Sequence, residues 1–213
     1  KKMPDALGPE GIAELVALAS EVRGFIEQAY LPDVMVLVES YADWAGRGAA
    51  GEIGHMVVLA DGPVCGCGKR GCLESVSSRT AIERDIRLGL RAGRESMMAE
   101  WVQQEGRDRI TSGVLAEAYG RRDPLVYEVI SRSQHYLGIF IGSIFNFIDP
   151  DMIVIGGGVA EALGEAYVEP VRAVAYQYAM NRRDARTAPI VLSELGDNAV
   201  LLGAAVYARQ RLE

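Results

Sequence analysis

The chain has 213 residues, 49% of them hydrophobic and 24% charged, with a formal net charge of −7. This length and composition allow a sizeable buried core, in one domain or in two small lobes. The acidic balance disfavours direct binding to a phosphate backbone, and no apolar run reaches the roughly 18 residues of a membrane span. Three cysteines are few, as is usual in a reducing compartment, so we expect a cytoplasmic protein.

The first fifty residues predict one helix and one buried strand. Apolar side chains recur at helical spacing over residues 8–29, and Leu31-Pro32 ends this helix because the residue before a proline avoids the α region. The continuous apolar run 34–38 is typical of a strand buried on both faces. Residues 39–51, which are rich in glycine and alanine, are expected to form a loop.

The next segment contains every cysteine of the chain. Cys65, Cys67 and Cys72 fall within eight residues, and His55, one of only two histidines, precedes them. Thiolates and an imidazole are the ligands that Zn²⁺ prefers, and four of them complete a tetrahedral structural site. Unrelated buried thiols would not cluster in this way, and a disulfide would leave one cysteine unpaired. A metal site is therefore favoured over both alternatives, and residues 56–59 are expected to enter it as a strand.

The middle of the chain predicts helices only. A proline in the first turn marks the start of the longest one, which carries apolar residues on more than one side. His135 lies on this helix without a cysteine or second histidine nearby, so we interpret it as a surface or hydrogen-bonded histidine. Four helices are expected: from Ser78 to about Leu90, from Glu95 to Gln104, from Ser112 to Tyr119, and from Pro124 to about Ile148.

The last third alternates strands with helices. A strand at 152–155 runs into the glycine triplet Gly156, Gly157 and Gly158, and a helix begins near Val159. This geometry can present backbone N–H groups to a nucleotide, although a tight turn that needs glycine explains three glycines equally well. The remaining elements are a helix at 169–180, a strand at 190–193 and a closing helix at 198–211. The alternation predicts an α/β fold with parallel strands.

The cysteine segment resembles the ROK family, which is named for repressors, open reading frames and kinases. The matching residues are G-E-I-G-H at 51–55 and C-G-C-G-K-R-G-C-L-E at 65–74. Residues 136–160 are similar to the helix, Asp-Pro, strand and glycine triplet of the family, and residues 196–205 to its last helix. The resemblance implies an actin-like ATPase (ribonuclease H-like) sugar-kinase fold.

The same resemblance implies two domains. Residues 51–213 would be a nearly complete C-terminal lobe that contains zinc and binds sugar, and residues 1–50 a remnant of the N-terminal lobe. Because the family's phosphate-binding segments are absent from the sequence, we expect the chain to be part of a longer protein. Homodimers or homotetramers are expected as well.

The resemblance also implies roles for individual residues. Structural zinc would be held by His55, Cys65, Cys67 and Cys72. Glu52 and Glu74 would accept hydrogen bonds from sugar hydroxyls, and His55 would bind zinc through one ring nitrogen and the sugar through the other. In a kinase, Gly156, Gly157 and Gly158 would border ATP and its Mg²⁺.

Departures from the family bear on function. The glycine-rich phosphate loop expected after the strand at 34–38 is absent, and so is the upstream phosphate-binding strand pair. A ROK kinase carries an Asn-Asp pair at the start of the helix before its first strand, and the Asp is the general base for the attacking sugar hydroxyl. Gly11 and Ile12 stand at those positions, and Ile12 cannot accept a proton. No catalytic residue is therefore assigned.

Three functions remain open. The first is the sugar-sensing effector domain of a ROK transcriptional regulator, which would reach DNA only through an upstream winged helix outside this sequence. The second is an ATP-dependent kinase for glucose, fructose or an N-acetylhexosamine, seen incompletely. The third is a zinc-stabilised scaffold without a ligand, in which Glu52 and Glu74 are ordinary surface carboxylates.

Overall fold

A computed structural model describes residues 52–103, 109–180, 184 and 187–196. These residues belong to one compact unit, Glu52–Gly196. The predicted helix at 8–29, the predicted strand at 34–38 and the predicted closing helix at 198–211 lie outside the described residues. They stay predictions, as does the boundary between two lobes near residue 50.

Helices dominate the described residues. A single 3₁₀ turn, Ile53–His55, precedes them, and none of these helices is long and apolar enough to cross a bilayer. In chain order the elements are α1 (Leu73–Ser77), α2 (Arg79–Arg91), α3 (Met98–Gln103), α4 (Ser112–Gly120), α5 (Pro124–Ile148), β1 (Ile153–Ile155), α6 (Gly158–Leu163), α7 (Glu165–Tyr178) and β2 (Ile190–Leu192).

The two strands form a parallel pair. Ile153 lies opposite Ile190, and Ile155 lies opposite Leu192. Parallel neighbours need a crossover connection of a dozen or more residues, and α6 and α7 supply it here. Ile155 and Ile190 point into the core, where they are 8% and 1% exposed. The predicted α/β class with parallel strands is confirmed.

The core is built around α5 and α7, which pack closely because α5 carries two glycines at the contact. A Cβ atom added at Gly138 would lie 2.6 Å from Cβ of Val174 on α7. One added at Gly142 would lie 2.6 Å from Cβ of Tyr178. Side chains at these two positions would force the helices apart, since such separations are far below van der Waals contact.

A buried glutamine compensates for a proline inside α7. Pro170 lacks the N–H that would bond to the carbonyl of Ala166, one turn earlier. The side-chain amide of Gln134, on α5, donates to that carbonyl at 2.9 Å and to the carbonyl of Tyr167 at 3.2 Å. Gln134 is 2% exposed, so this contact satisfies polar groups that would otherwise be unpaired in the core.

Asp123 joins the start of α5 to the segment before α3. Its carboxylate accepts hydrogen bonds from the backbone N–H of Leu125 and Val126 at 3.1 and 3.0 Å. It also accepts from the hydroxyl of Ser96 at 2.9 Å and from the backbone N–H of Met97 at 2.7 Å. Asp123 is 6% exposed, so the loss of this carboxylate would leave several donors unpaired away from water.

We therefore expect Asp123→Ala to lower the free energy of unfolding by about 2 kcal/mol or more, at or above the upper end for a helix cap. Denaturant unfolding measures the change. The matched control is Thr111→Ala, which removes the cap of α4, a single bond of 3.4 Å at an exposed position. Equal decreases in the free energy of unfolding of the two variants would contradict the role of Asp123 in joining α5 to the segment before α3.

Several local predictions differ from the structure, among them the helix predicted from Glu95, which begins at Met98. Residues 56–59 do not form a strand, because only Val57 makes a bridge, to Cys72, and the chain then turns through Asp61 with its left-handed φ of 59°. The helix predicted at 169–180 begins earlier, at Glu165. By contrast, Ser78 caps α2 as predicted, with its hydroxyl accepting from the backbone N–H of Ala81 at 3.1 Å.

Candidate functional site

Backbone hydrogen bonds close the loop that carries the cysteines. Val57 and Cys72 form an antiparallel bridge, and the N–H of Val58 donates to the carbonyl of Gly71 at 2.9 Å. Gly71 has a φ of 72°, and a Cβ there would lie 1.6 Å from the carbonyl oxygen of Leu59. Only glycine fits this position, so the sequence itself fixes how the two ends of the loop meet.

The loop brings His55 and all three cysteines together. Their potential ligand atoms lie within 4.8 Å of one another, and the cysteines are free thiols. Sγ of Cys65 is 3.5 Å from Nδ1 of His55, and Sγ of Cys67 is 3.7 Å from Sγ of Cys72. The predicted cluster therefore exists as a group of four soft ligands that could hold a metal ion.

These distances suit a tetrahedral zinc ion. Zinc bonds of about 2.3 Å to sulfur and about 2.0–2.1 Å to nitrogen place two sulfurs about 3.8 Å apart and a sulfur and a nitrogen about 3.6 Å apart. The observed separations of 3.7 and 3.5 Å match both values. Four protein ligands would leave no position for substrate, so such an ion would stabilise the loop and would not take part in a reaction.

The thiols differ in their surroundings. Cys72 is completely buried and burial raises the pKa of its thiol to about 11, whereas Cys67 is exposed. A hydrogen bond from the backbone N–H of Lys69 lowers the pKa of Cys67. Cys72 is therefore protonated at neutral pH in the metal-free protein, and the metal must displace that proton.

We expect the apparent zinc affinity to fall as the pH is lowered. A thiol whose pKa is about 11 carries its proton throughout the neutral range, so zinc binding releases that proton and is favoured at higher pH. Competition with a chromophoric chelator, at pH values from about 6 to about 8, measures how the apparent zinc affinity changes with pH. An affinity independent of pH, after correction for the chelator, would rule out thiolate ligation.

The two predicted sugar-binding carboxylates flank His55. Oε2 of Glu74 is 3.2 Å from Nδ1 and also accepts a hydrogen bond from the thiol of Cys65 at 3.5 Å. Oε2 of Glu52 is 3.7 Å from the other ring nitrogen, Nε2. Nδ1 is therefore the ring nitrogen beside the sulfur of Cys65, and Nε2 is the one nearer to Glu52. Both carboxylates are more than half exposed and open to a ligand.

A cleft of about 350 Å³ joins this region to the glycine triplet. Glu74 and Gly54 line it, and so do Gly156, Gly157 and Gly158, the predicted nucleotide-binding residues. Gly157 has a φ of 99°, so the turn requires glycine whether or not it binds a ligand.

Several residues of the cleft are not assigned from the sequence. Ser77 and Tyr167 line it, as does Arg79. The spacing of Ser77, three residues after Glu74 on one short helix, is a usable signal, because residues three apart share a helix face. Tyr167 gives no such signal, since α7 reaches the cleft only through its packing on α5. His135 is exposed on α5 and packs edge-on to Tyr136, in agreement with the predicted surface histidine.

Comparison with known proteins extends these observations. The family model for the ROK family matches residues 40–211. A glucokinase of Halalkalibacterium halodurans is 34% identical over 166 residues, which are 78% of this chain and 49% of that protein. The xylose repressor of Caldicellulosiruptor bescii is 29% identical over 168 residues, 79% of this chain and 41% of that protein.

Two solved structures show the same fold. A ROK family glucokinase from Streptomyces griseus, in complex with glucose and AMPPNP, superposes with a TM-score of 0.63 at 29% identity, covering 76% of this chain and 52% of that chain. A ROK family transcriptional regulator, a homolog of the E. coli MLC protein, superposes with a TM-score of 0.61 at 28% identity. The match covers 74% of this chain and 38% of that chain. The predicted sugar-kinase fold is confirmed, and the chain spans about half or less of the length of these proteins.

Proposed function

We propose, because this chain belongs to the ROK family, that it is the sugar-sensing effector part of a transcriptional regulator. Both kinds of ROK protein occur among its relatives, glucokinases as well as xylose repressors. The feature that favours a regulator is Ile12, which alignment of residues 11–20 with the family's helix places at the position of the kinase base, before the matched range 40–211. This position lies outside the described residues, so the assignment rests on the sequence alone.

The geometry around His55 supports sugar binding. Carboxylates accept hydrogen bonds from hydroxyl groups, and Glu52 and Glu74 offer exposed oxygens on either side of the ring. A bound metal would fix the imidazole by taking Nδ1, which leaves Nε2 to contact a hydroxyl group. Fixed side chains lose little conformational entropy when a ligand binds, so the cluster suits recognition of a rigid polyol.

Turnover would require more than this cluster. Transfer of a phosphoryl group to a sugar needs a base for the attacking hydroxyl, and isoleucine cannot serve as one. Glu52 and Glu74 are assigned to binding in this proposal, and we assign no catalytic residue. Contact with DNA would come through a winged helix outside this sequence, and a homodimer or homotetramer in the cytoplasm stays a prediction.

A second candidate is an ATP-dependent sugar kinase. It is favoured by the glucokinase of H. halodurans, which at 34% identity exceeds the 29% of the xylose repressor of C. bescii, while the glucokinase of Streptomyces coelicolor is 26% identical. In that case ATP and Mg²⁺ would bind along Gly156, Gly157 and Gly158, and the general base would have to be another residue.

Two assays separate the candidates. Calorimetric titration with hexoses and N-acetylated hexosamines tests binding, and an assay coupled to ADP release tests turnover. A regulator is expected to bind a sugar without ATP turnover, and robust ADP release would establish the kinase instead. If no sugar binds to the zinc-loaded protein, both proposals fail and the scaffold interpretation remains.

A variant pair ties binding to the site. Glu74→Gln is expected to weaken sugar binding at least ten-fold, because a hydrogen bond to a charged group contributes roughly 1.5–3 kcal/mol. Glu100→Gln, the same change at an exposed position of α3, is the control and should leave the affinity unchanged. Equal affinities of the two variants would place the sugar elsewhere.

A further inference from the structure

The cleft beside Glu74 extends past the predicted sugar-binding residues. Its volume of about 350 Å³ is within the range of roughly 300–1,000 Å³ that is typical of small-molecule sites. Glu74 lines the cleft, and apolar side chains from several helices and one strand line it as well. These apolar side chains are Leu73 on α1, Leu137 on α5, Ile155 at the end of β1, and Val159 on α6.

The polar side chains that line the cleft already have partners inside the protein. The hydroxyl of Ser77 donates to the carbonyl of Ser133 at 2.7 Å, and the hydroxyl of Tyr167 is 3.1 Å from the hydroxyl of Ser133. The hydroxyl of Ser78 caps α2 by accepting from Ala81. A ligand in the cleft therefore meets the carbon atoms of these side chains more than their hydrogen-bonding groups.

The guanidinium of Arg79 and the N–H of Gly157 each make a hydrogen bond within the protein. The guanidinium of Arg79 donates through Nη2 to the carbonyl of Ile110 at 2.7 Å, whereas its buried Nε has no hydrogen-bond partner among the described residues. At the glycine turn, the N–H of Gly157 donates to the carboxylate of Glu161 at 3.2 Å. A phosphate at this turn would meet the carboxylate of Glu161 and a donor that is already used, so the glycine end of the cleft suits a neutral group.

We propose that this cleft is a subsite for a neutral, apolar group attached to the sugar, such as the aryl or alkyl aglycone of a glycoside. The inference rests on the proposed function, because it places the sugar ring at Glu52, His55 and Glu74. The aglycone then extends along α1 toward β1 and α6, against Leu137, Ile155 and Val159. The ligand class is thus a glycoside, and not a free hexose or a sugar phosphate.

A ligand series on the zinc-loaded wild-type chain tests this inference. Calorimetry compares methyl and phenyl glycosides of glucose, xylose and N-acetylglucosamine, in both anomers, with ADP as a competitor. For any sugar whose methyl glycoside binds, the phenyl glycoside of one anomer is expected to bind at least ten-fold tighter. If methyl glycosides bind and phenyl glycosides bind no tighter, the subsite is refuted while sugar sensing stands. If no sugar or glycoside binds, the proposed function fails first.

A cleft-filling variant locates the effect. Leu137→Trp is expected to reduce the advantage of the phenyl group to less than two-fold and to leave the affinity for the methyl glycoside unchanged. Leu88→Trp, at a half-exposed leucine on α2 outside the cleft, should bind the phenyl glycoside more tightly than the methyl glycoside by the same factor as the wild-type chain. A full advantage in Leu137→Trp, or displacement of the phenyl glycoside by ADP, would overturn the proposal. The wild-type series decides the question even if Leu137→Trp does not fold.

Discussion

Cys67→Ser is expected to lose its zinc and most of its folded population, whereas the wild-type chain retains one zinc ion. Structural zinc in small metal-binding domains contributes an apparent free energy of about 10–16 kcal/mol, comparable to the entire stability of about 5–15 kcal/mol of a typical domain. Cys67 is exposed, so replacing sulfur with oxygen creates no cavity in the core. Elemental analysis gives the zinc content, and thermal unfolding gives the stability.

The control for this variant is Val64→Ser in the same loop. Val64 is 60% exposed and lies outside the cluster, so its replacement should leave zinc content and the unfolding temperature close to those of the wild-type chain. A Cys67→Ser protein that keeps one zinc ion and unfolds like the control would remove Cys67 from the site. The proposed sugar-binding arrangement would then lose its structural basis.

The second large effect is expected at the contact between α5 and α7. Gly138→Ala and Gly142→Ala should each lower the free energy of unfolding by about 1–3 kcal/mol, the usual cost of an overpacked core. The added methyl groups would lie 2.6 Å from Cβ of Val174 and Tyr178, respectively, and 2.9 Å from backbone carbonyl oxygens of α7. Backbone atoms cannot rotate away as a side chain can, so the helices must separate.

The same substitution in α4 has the opposite expected sign. Gly113 has no atom within 4 Å of an added Cβ, and alanine favours the helical backbone over glycine by up to about 1 kcal/mol. Gly113→Ala should therefore be neutral or stabilising in denaturant unfolding. If Gly138→Ala and Gly142→Ala are also neutral or stabilising, the α5 glycines are not needed for helix contact and the overpacking argument is wrong.

The grouping of His55 with the three cysteines could be predicted because these residues lie close together in the sequence. Cysteine and histidine are rare in this chain, and four of them within 18 residues already define a ligand set. The spacing of these residues in the sequence does not determine which ring nitrogen of His55 lies near the sulfurs. In the structure, Nδ1 faces the sulfur of Cys65. The orientation of the ring depends on the 3₁₀ turn at 53–55, for which the sequence has no distinct pattern.

Other parts of the site depend on contacts between distant residues. The cleft exists because α7 packs on α5 and brings Tyr167 beside Ser77, and no local periodicity encodes that approach. The helix prediction beginning at Glu169 was wrong for a related reason. A proline usually marks the first turn of a helix, but here Gln134 from another helix satisfies the carbonyl that Pro170 leaves free.

The bridge between Val57 and Cys72 has a consequence for the order of folding. The bridge closes a loop of 14 residues, 58–71, and closing a loop of similar size takes on the order of 10–100 ns, whereas pairing α5 with α7 requires about a hundred further residues of chain. During synthesis, the ligand-bearing loop emerges well before its neighbours and can acquire an ion while the remainder is still unmade. The nascent chain would then carry its metal into the folding of the helical core.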